Sequence, residues 1–254
     1  MDKNSEQILQ NITSGSEELL DSIITHISTN SDEEESEFIA QCRKMFPHFK
    51  TVTSFLDSYM QIKPEAKREF LNEYLDRRKQ GFAKILINAS TYLGKYNKFV
   101  TISNSKTVVS VLSYISKNAK HIKVTVCESR PNNEGVILAE KLSIEGITTS
   151  LITEAQLPDH IANCDAVILG ADKILANHDV INKTGSKLLA ILARGYKKPV
   201  YVISSKSKLT DEFVWEKDEQ PTAEIYGKSN INLHIFNNYF ELVPSYLITK
   251  IITD

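Results

Sequence analysis

Glycine is scarce, at nine in 254 residues, and those nine spell neither GxGxxG nor GxxxxGKS/T. Dinucleotide or nucleoside-triphosphate binding in either standard manner therefore has no support. The three cysteines, Cys42, Cys127 and Cys164, are odd in number and form no CxxC. That argues against a disulfide framework and against a zinc ribbon. HExxH and GxSxG are missing as well, so no metal and no cofactor is expected. No apolar run approaches the ~18 residues of a membrane span, and the polar start MDKNSEQILQ offers no signal segment. The expectation is a cytoplasmic chain with no membrane association. A formal net charge of −2 gives no platform for direct nucleic-acid binding. What remains is ordinary globular composition, 41% hydrophobic and 24% charged, in a chain long enough to fold without staples.

The charge is unevenly placed. Residues 1–37 hold ten acids against one lysine. The stretch Asp32-Glu33-Glu34-Glu35-Ser36-Glu37 has too few apolar residues to pack and reads as a solvated loop or helix start. Apolar residues then recur at helical spacing: Ile8, Leu9 and Ile12; Leu19, Leu20, Ile23, Ile24 and Ile27; Phe38, Ile39 and Cys42. The pattern resumes after Pro47 with Val52, Phe55, Leu56 and Tyr59, and after Pro64 with Phe70, Leu71, Tyr74 and Leu75. Residues 1–95 thus read as a helical domain broken at the two prolines, its aromatic stripe serving helix–helix packing.

From Phe99 the grammar changes. Phe99–Ile102, Ile122–Val126, Thr149–Ile152, Ala166–Leu169 and Val200–Ile203 are short β-branched runs, each followed by a turn and a helical stretch. Alternation of this kind predicts an α/β domain over 96–254, a doubly wound, mostly parallel, Rossmann-like sheet. Leu233–Phe236 and Leu247–Ile252 are expected to add strands. Ligands in such sheets bind beyond the carboxyl ends of the strands. There stand Ser103-Asn104-Ser105-Lys106, Glu128-Ser129-Arg130-Pro131 with Glu134-Gly135, Gly170-Ala171-Asp172-Lys173, and Ser204-Ser205-Lys206.

Each has a plain reading. Arg130 suits a surface salt bridge, Asp172 a turn, Asn182 a helix N-cap and Lys183 an exposed first helical turn. A lysine there opposes the helix dipole, so Asn182-Lys183-Thr184-Gly185-Ser186 also suits an anion held by Lys183 and the amides of Gly185 and Ser186. Taken together, the ligand-binding candidates are Arg130, Glu134, Asn182, Lys183, Gly185, Ser186 and Lys206, around Asp172 as the group able to move a proton.

These motifs resemble one family. It joins the alpha, beta and delta subunits of translation initiation factor 2B with isomerases of 5-methylthioribose 1-phosphate and ribose 1,5-bisphosphate. The resemblance covers roughly residues 99–254 and rests on Glu128-Ser129-Arg130-Pro131-x-x-Glu134-Gly135, Gly170-Ala171-Asp172-Lys173-Ile174 and Asn177-x-Asp179-Val180-x-Asn182-Lys183-x-Gly185. Ser204-x-Lys206 and Asn238-x-x-Phe240-Glu241-x-x-Pro244 also match. The resemblance implies a phosphorylated sugar or nucleotide as ligand, a homodimer, and an initiation-factor-type protein partner. In the isomerases it implies a cysteine, just after the first strand, acting with the Asp of Gly-Ala-Asp. Here Ser103 takes that place, and a hydroxyl is a far weaker acid than a thiol. Asp172 and Ser103 are thus catalytic only if the chain is an enzyme. Cys127 reads as a buried strand residue rather than a substitute. Three readings follow: a non-catalytic, regulatory binder of the alpha-subunit kind, an aldose–ketose isomerase, or an assembly subunit with a vestigial pocket.

Overall fold

The computed structural model describes residues 3–11, 14–29, 32–118, 121–217, 219–228 and 232–254. Five helices come first: α1 (Lys3–Leu9), α2 (Ser16–Thr29), α3 (Asp32–Met45), α4 (Lys50–Met60) and α5 (Lys67–Leu93). The prolines punctuate them as expected. Pro47 lies in the α3–α4 turn, and Pro64 opens the short 3-10 turn before α5. Leu19, Leu20, Ile23, Phe38, Phe55 and Leu56 close into one buried core, with Leu71 of α5. The aromatic stripe lies inside this bundle, Phe55 and Tyr74 facing each other at 4.8 Å between ring centres. Ile12 lies outside the described residues.

The acidic amino-terminal segment is less solvated than its composition suggests. Glu35 is buried in α3, where its carboxylate accepts from Lys67 at 2.7 Å and from the Tyr59 hydroxyl at 3.3 Å. Glu17, Glu18 and Asp21 on α2 pair with Arg78, Lys141 and Lys106 of α5 and two later helices. Acids of the first region therefore meet bases of the rest within one chain.

The sheet follows. Its strands are β1 (Lys98–Thr101), β2 (Lys123–Cys127), β3 (Thr148–Ile152), β4 (Ala166–Leu169), β7 (Val200–Ile203) and β9 (Lys250–Ile252), in the order β3-β2-β1-β4-β7-β9. Each described pairing in this sheet is parallel, for example Val100 with Thr125 on one side and Val167 on the other. Helices α6 (Lys106–Lys117) and α7 (Glu134–Ile144) join α5 in a core on one face, built on Val108, Leu112, Leu138 and Ile168. Helices α8 (Leu157–Asn163) and α9 (Ser186–Gly195) cover the other, over Val100, Val167, Leu189 and Val202. This is the expected doubly wound arrangement. Its strand order reverses between β1 and β4, which sets the ligand crevice beyond their carboxyl ends.

Three sequence expectations need correction. Leu233–Phe236 forms no strand; Leu233 and Phe236 are exposed, and no neighbouring strand pairs with them among the described residues. Asn182 and Lys183, read as the opening of a helix, belong instead to a strand, β6 (Val180–Lys183). It forms the centre of a small antiparallel sheet with β5 (Lys173–Ile174) and β8 (Phe240–Val243). Of Leu247–Ile252, only Lys250–Ile252 is strand, Leu247 ending a 3-10 turn.

Candidate functional site

Ser103 follows β1 and Asp172 follows β4, so the strand reversal brings both to one crevice. Its lining includes Ser103, Asn104, Ser105, Gly170, Asp172 and Asn182. The small sheet supplies the geometry: the Asp172 amide donates to the Ile181 carbonyl at 2.8 Å, tying the end of β4 to β6. Ser103 and Ser129 both adopt left-handed backbone, with φ of 69° and 67°. Such conformations cost roughly 1–3 kcal/mol each and persist where the surroundings enforce them. Here Ser129 is the enforcing hub. Its hydroxyl accepts from the Ser103 amide at 2.8 Å and donates to the Cys127 carbonyl at 3.0 Å, while its own amide reaches Glu154. Ser129 thereby locks the turns after β1 and β2 to each other.

Behind the crevice lies a buried ion pair. Lys183 Nζ meets Glu134 Oε1 at 2.7 Å, with side-chain exposures of 3% and 9%. The Lys183 ammonium also stands 5.3 Å from the centre of the Tyr239 ring. Lys183 is therefore a buried strand residue and not an exposed first-turn lysine. Burial pushes the Glu134 carboxyl above the usual carboxylate range, although Lys183 opposes it; the charge of Asp172 adds to the rise. The other oxygen of Glu134, Oε2, is buried with no hydrogen-bond partner.

Asn182 likewise lies on β6 rather than capping a helix. Its side chain donates to Ser186 Oγ at 2.8 Å, and that hydroxyl donates to the Lys183 carbonyl. The residue flanking α9 is Gly185, at φ +105°, where a Cβ would stand 2.6 Å from Ile102 Cδ1. Glycine is required there by backbone and by space. The anion that this helix start favours comes from within the chain. Glu241 Oε1 accepts from the amides of Gly185 and Lys187 at 2.6 and 2.8 Å. Those two amides are thus already engaged.

Of the other expected cations, Arg130 is exposed, and its guanidinium donates to the Pro131 carbonyl at 3.3 Å. Lys206 is also exposed; its amide donates to Asp254. The lysine that enters the crevice is Lys208, two residues on, buried with its ammonium donating to the Ala171 carbonyl. In Ser-Ser-Lys-Ser-Lys nothing distinguishes the two lysines locally; the 3-10 turn Lys206–Lys208 turns the second inward.

Helix α2 was not foreseen at the site, yet Ser16 and Glu17 line it. Ser16 Oγ lies near Asp172 without completing a hydrogen bond. With α2 in place the crevice holds only about 30 Å³, room for roughly one water. Asp172 is largely enclosed. Desolvation pushes its carboxyl above the usual range, and Lys208, Ser16 and Lys183 only partly offset this.

A raised carboxylate has a definite sign. The folded state holds the Asp172 proton at pH values where the unfolded chain releases it, so ionisation costs stability as pH rises through the folded pKa. Asp172→Asn is therefore expected to be more stable than the natural chain at about pH 7–8. The difference should vanish below about pH 3, where both states protonate aspartate. Urea unfolding at several pH values checks this; equal stability at every pH would contradict it.

Burial also pushes the Cys127 thiol up to about 12, consistent with an inert strand cysteine. No group of three or more His, Cys, Asp or Glu suited to a metal occurs among the described residues, and no helix among them is long and apolar enough to cross a membrane.

Methylthioribose-1-phosphate isomerase of Bacillus cytotoxicus is 36% identical over 154 residues, covering 56% of this chain and 44% of that protein. A putative translation initiation factor eIF-2B subunit 2-like protein of Pyrococcus furiosus is 28% identical over 182 residues, covering 72% of this chain and 65% of that protein. This chain spans about half the length of the curated relatives it matches. In structure, the translation initiation factor eIF-2B of Pyrococcus horikoshii superposes with a TM-score of 0.83 at 21% identity, covering 100% of this chain and 96% of that one. That likeness establishes a shared fold. The model of the initiation factor 2 subunit family matches residues 6–254, and the chain belongs to that family.

Proposed function

We propose that this protein binds a phosphorylated sugar, or the sugar-phosphate part of a nucleotide, at the crevice between β1 and β4, and does not transform it. The observation that carries the reading is the gathering of Asp172, Lys208 and the Glu134–Lys183 pair beyond the strand ends, with Ser103 where an acid–base thiol would stand. Asp172 and Asn182 suit sugar hydroxyls. Lys183, Lys208 and the exposed Arg130 suit a phosphate, Arg130 by a bidentate fork and the lysines as point charges. Admission of a pentose requires the first turn of α2 to lift, since the closed crevice is water-sized. Four ion pairs hold the start of that helix: Arg78 with Glu17 and with Asp21, Lys106 with Asp21, and Lys141 with Glu18. In this reading residues 1–95 act as a helical domain that closes over the α/β domain 96–254. The protein is cytoplasmic and homodimeric, and its partner is of the initiation-factor type.

Titration calorimetry with ribose 1,5-bisphosphate and with 5-methylthioribose 1-phosphate tests the binding. We expect saturable binding of at least one of them, weakened about tenfold or more by Arg130→Ala, a surface change that leaves the fold intact. Asp172→Asn should leave phosphate affinity equal or slightly higher, because a nearby negative charge is lost. Affinity indifferent to both Arg130→Ala and Lys208→Ala would overturn the phosphate assignment. Light scattering should give a dimer at tens of micromolar, and a monomer would count against that part.

The second reading is isomerisation, favoured by one observation: an enclosed carboxyl with a raised pKa, Asp172, shares the crevice with Ser103. A carboxyl in its protonated form can donate to a sugar oxygen. No turnover is expected in the natural chain. Robust turnover of either sugar phosphate, abolished by Asp172→Asn, would establish the isomerase instead.

A further inference from the structure

We propose that a second cavity, of about 580 Å³ and bounded by α2, α4, α5, α6 and the turn after β7, binds a compact molecule with an aromatic or branched apolar body and one anionic group. It adjoins the crevice at Asp172 but shares only Glu17 and Lys106 with it, and the proposal is independent of any sugar-phosphate binding there. Its volume falls within the range of sites that enclose small molecules. One wall is carbon: Phe70, Tyr74, Leu75, Phe82 and Ile85, with the Phe70 and Tyr74 rings stacked at 5.9 Å.

The charges decide the ligand class. Of the acids in the lining, Glu17 and Asp21 both pair with Arg78, at 2.6 and 2.7 Å, with Lys106 also on Asp21, while Glu17 Oε1 is buried without a hydrogen-bond partner. That network neutralises itself. Left over are Arg77 and Lys79, both exposed, against the single carboxylate side chain of Asp254. Arg77 only touches the carbonyl of Glu73, at 3.4 Å, and Lys79 enters no ion pair among the described residues. The outstanding charge is positive, and it borders an apolar hollow. A ring system can enter the hollow whole, with its anion meeting the two cations, which a neutral or cationic ligand would leave unmatched.

Fluorescence titration of the full chain with 1-anilinonaphthalene-8-sulfonate tests this, beside the uncharged N-phenyl-1-naphthylamine. We expect one saturable site for the anionic dye. Gly81→Phe fills the cavity from α5; its Cβ would meet Asp254 at 3.4 Å, an ordinary contact. Ser58→Trp fills it from α4. Each should weaken both dyes about tenfold or more, with the circular-dichroism melt confirming that at least one of the two variants is folded. Reversing the mouth, Arg77→Glu with Lys79→Glu, should weaken the anionic dye about fivefold or more and the neutral dye by less than about twofold. Non-saturating fluorescence, or saturation untouched by a folded filling variant, would overturn the site and assign the dye to exposed apolar residues such as Phe213 and Phe236. An equal response of both dyes to charge reversal would overturn the anionic class.

Discussion

Replacing Lys183 by methionine is expected to destabilise the protein by about 3–5 kcal/mol, the range for breaking a buried ion pair by removing one partner. The cause is Glu134. Its Oε1 accepts from Lys183 at 2.7 Å, its Oε2 already lacks a partner, and the side chain is 9% exposed. Without the ammonium, the carboxylate must ionise unpaired in protein or take up a proton. Its pKa, already raised by burial, rises further, so the loss should grow as pH increases through that value and shrink under acid. The double variant Lys183→Met/Glu134→Leu removes charge and counter-charge together, along with the orphan oxygen. Replacing a buried pair by apolar groups of similar volume is often neutral or stabilising, so most of the lost stability should return. Urea unfolding of the two single variants and the double gives the coupling directly. A mild single effect, below about 1 kcal/mol, would mean that water reaches the pair.

Gly135→Ala is the second large effect. Gly135 is the second residue of α7, and its amide donates to the Glu128 carbonyl at 3.1 Å, folding the helix start back against β2. A Cβ at Gly135 would stand 1.7 Å from the Cys127 carbonyl oxygen and 2.7 Å from Ser129 Oγ. The first is backbone of a fully buried strand end and cannot swing aside. The helix must move, which carries Glu134 away from Lys183 and disturbs the Ser129 hub. We expect a loss of about 3 kcal/mol or more, or failure to accumulate folded protein. A thermal melt within a few degrees of the natural chain would contradict this account of the motif. The glycine of Glu-Gly is there because the helix touches the strand at that point.

Periodicity carries the helical region and the six strands of the main sheet, the last with its start set three residues early, because those elements bury regular apolar faces against each other. It fails where pairing is non-local and the strands are short. Val180–Lys183 pairs with Phe240–Val243 across about sixty residues, and half of it is polar. The polar run Asn182-Lys183-Thr184 before Gly185 reads locally as a helix start. The misreading of Asn182 and Lys183 follows from that single error. The helix start of α9 reads as a seat for a ligand anion, but the amides of Gly185 and Lys187 are engaged by Glu241, fifty-odd residues on. Asp172 and Glu134 were legible because the doubly wound pattern fixes where strand ends lie. Arg130 and Lys206 were chosen by type at the right rim, yet both point to solvent, while Lys208 turns in. Ser16 and Glu17 had no local signal at all; they reach the crevice because the acids of α2 meet cations of α5, α6 and α7.

The most direct measurement is calorimetric titration of ribose 1,5-bisphosphate and 5-methylthioribose 1-phosphate into the natural chain and into Lys183→Met/Glu134→Leu. If the buried charges serve a phosphate ligand, the natural chain binds at least one of the two saturably. The double variant, with its stability largely restored, should then bind about tenfold or more weakly. Equal affinity in the two proteins, or no binding of either sugar phosphate to the natural chain, would contradict the account.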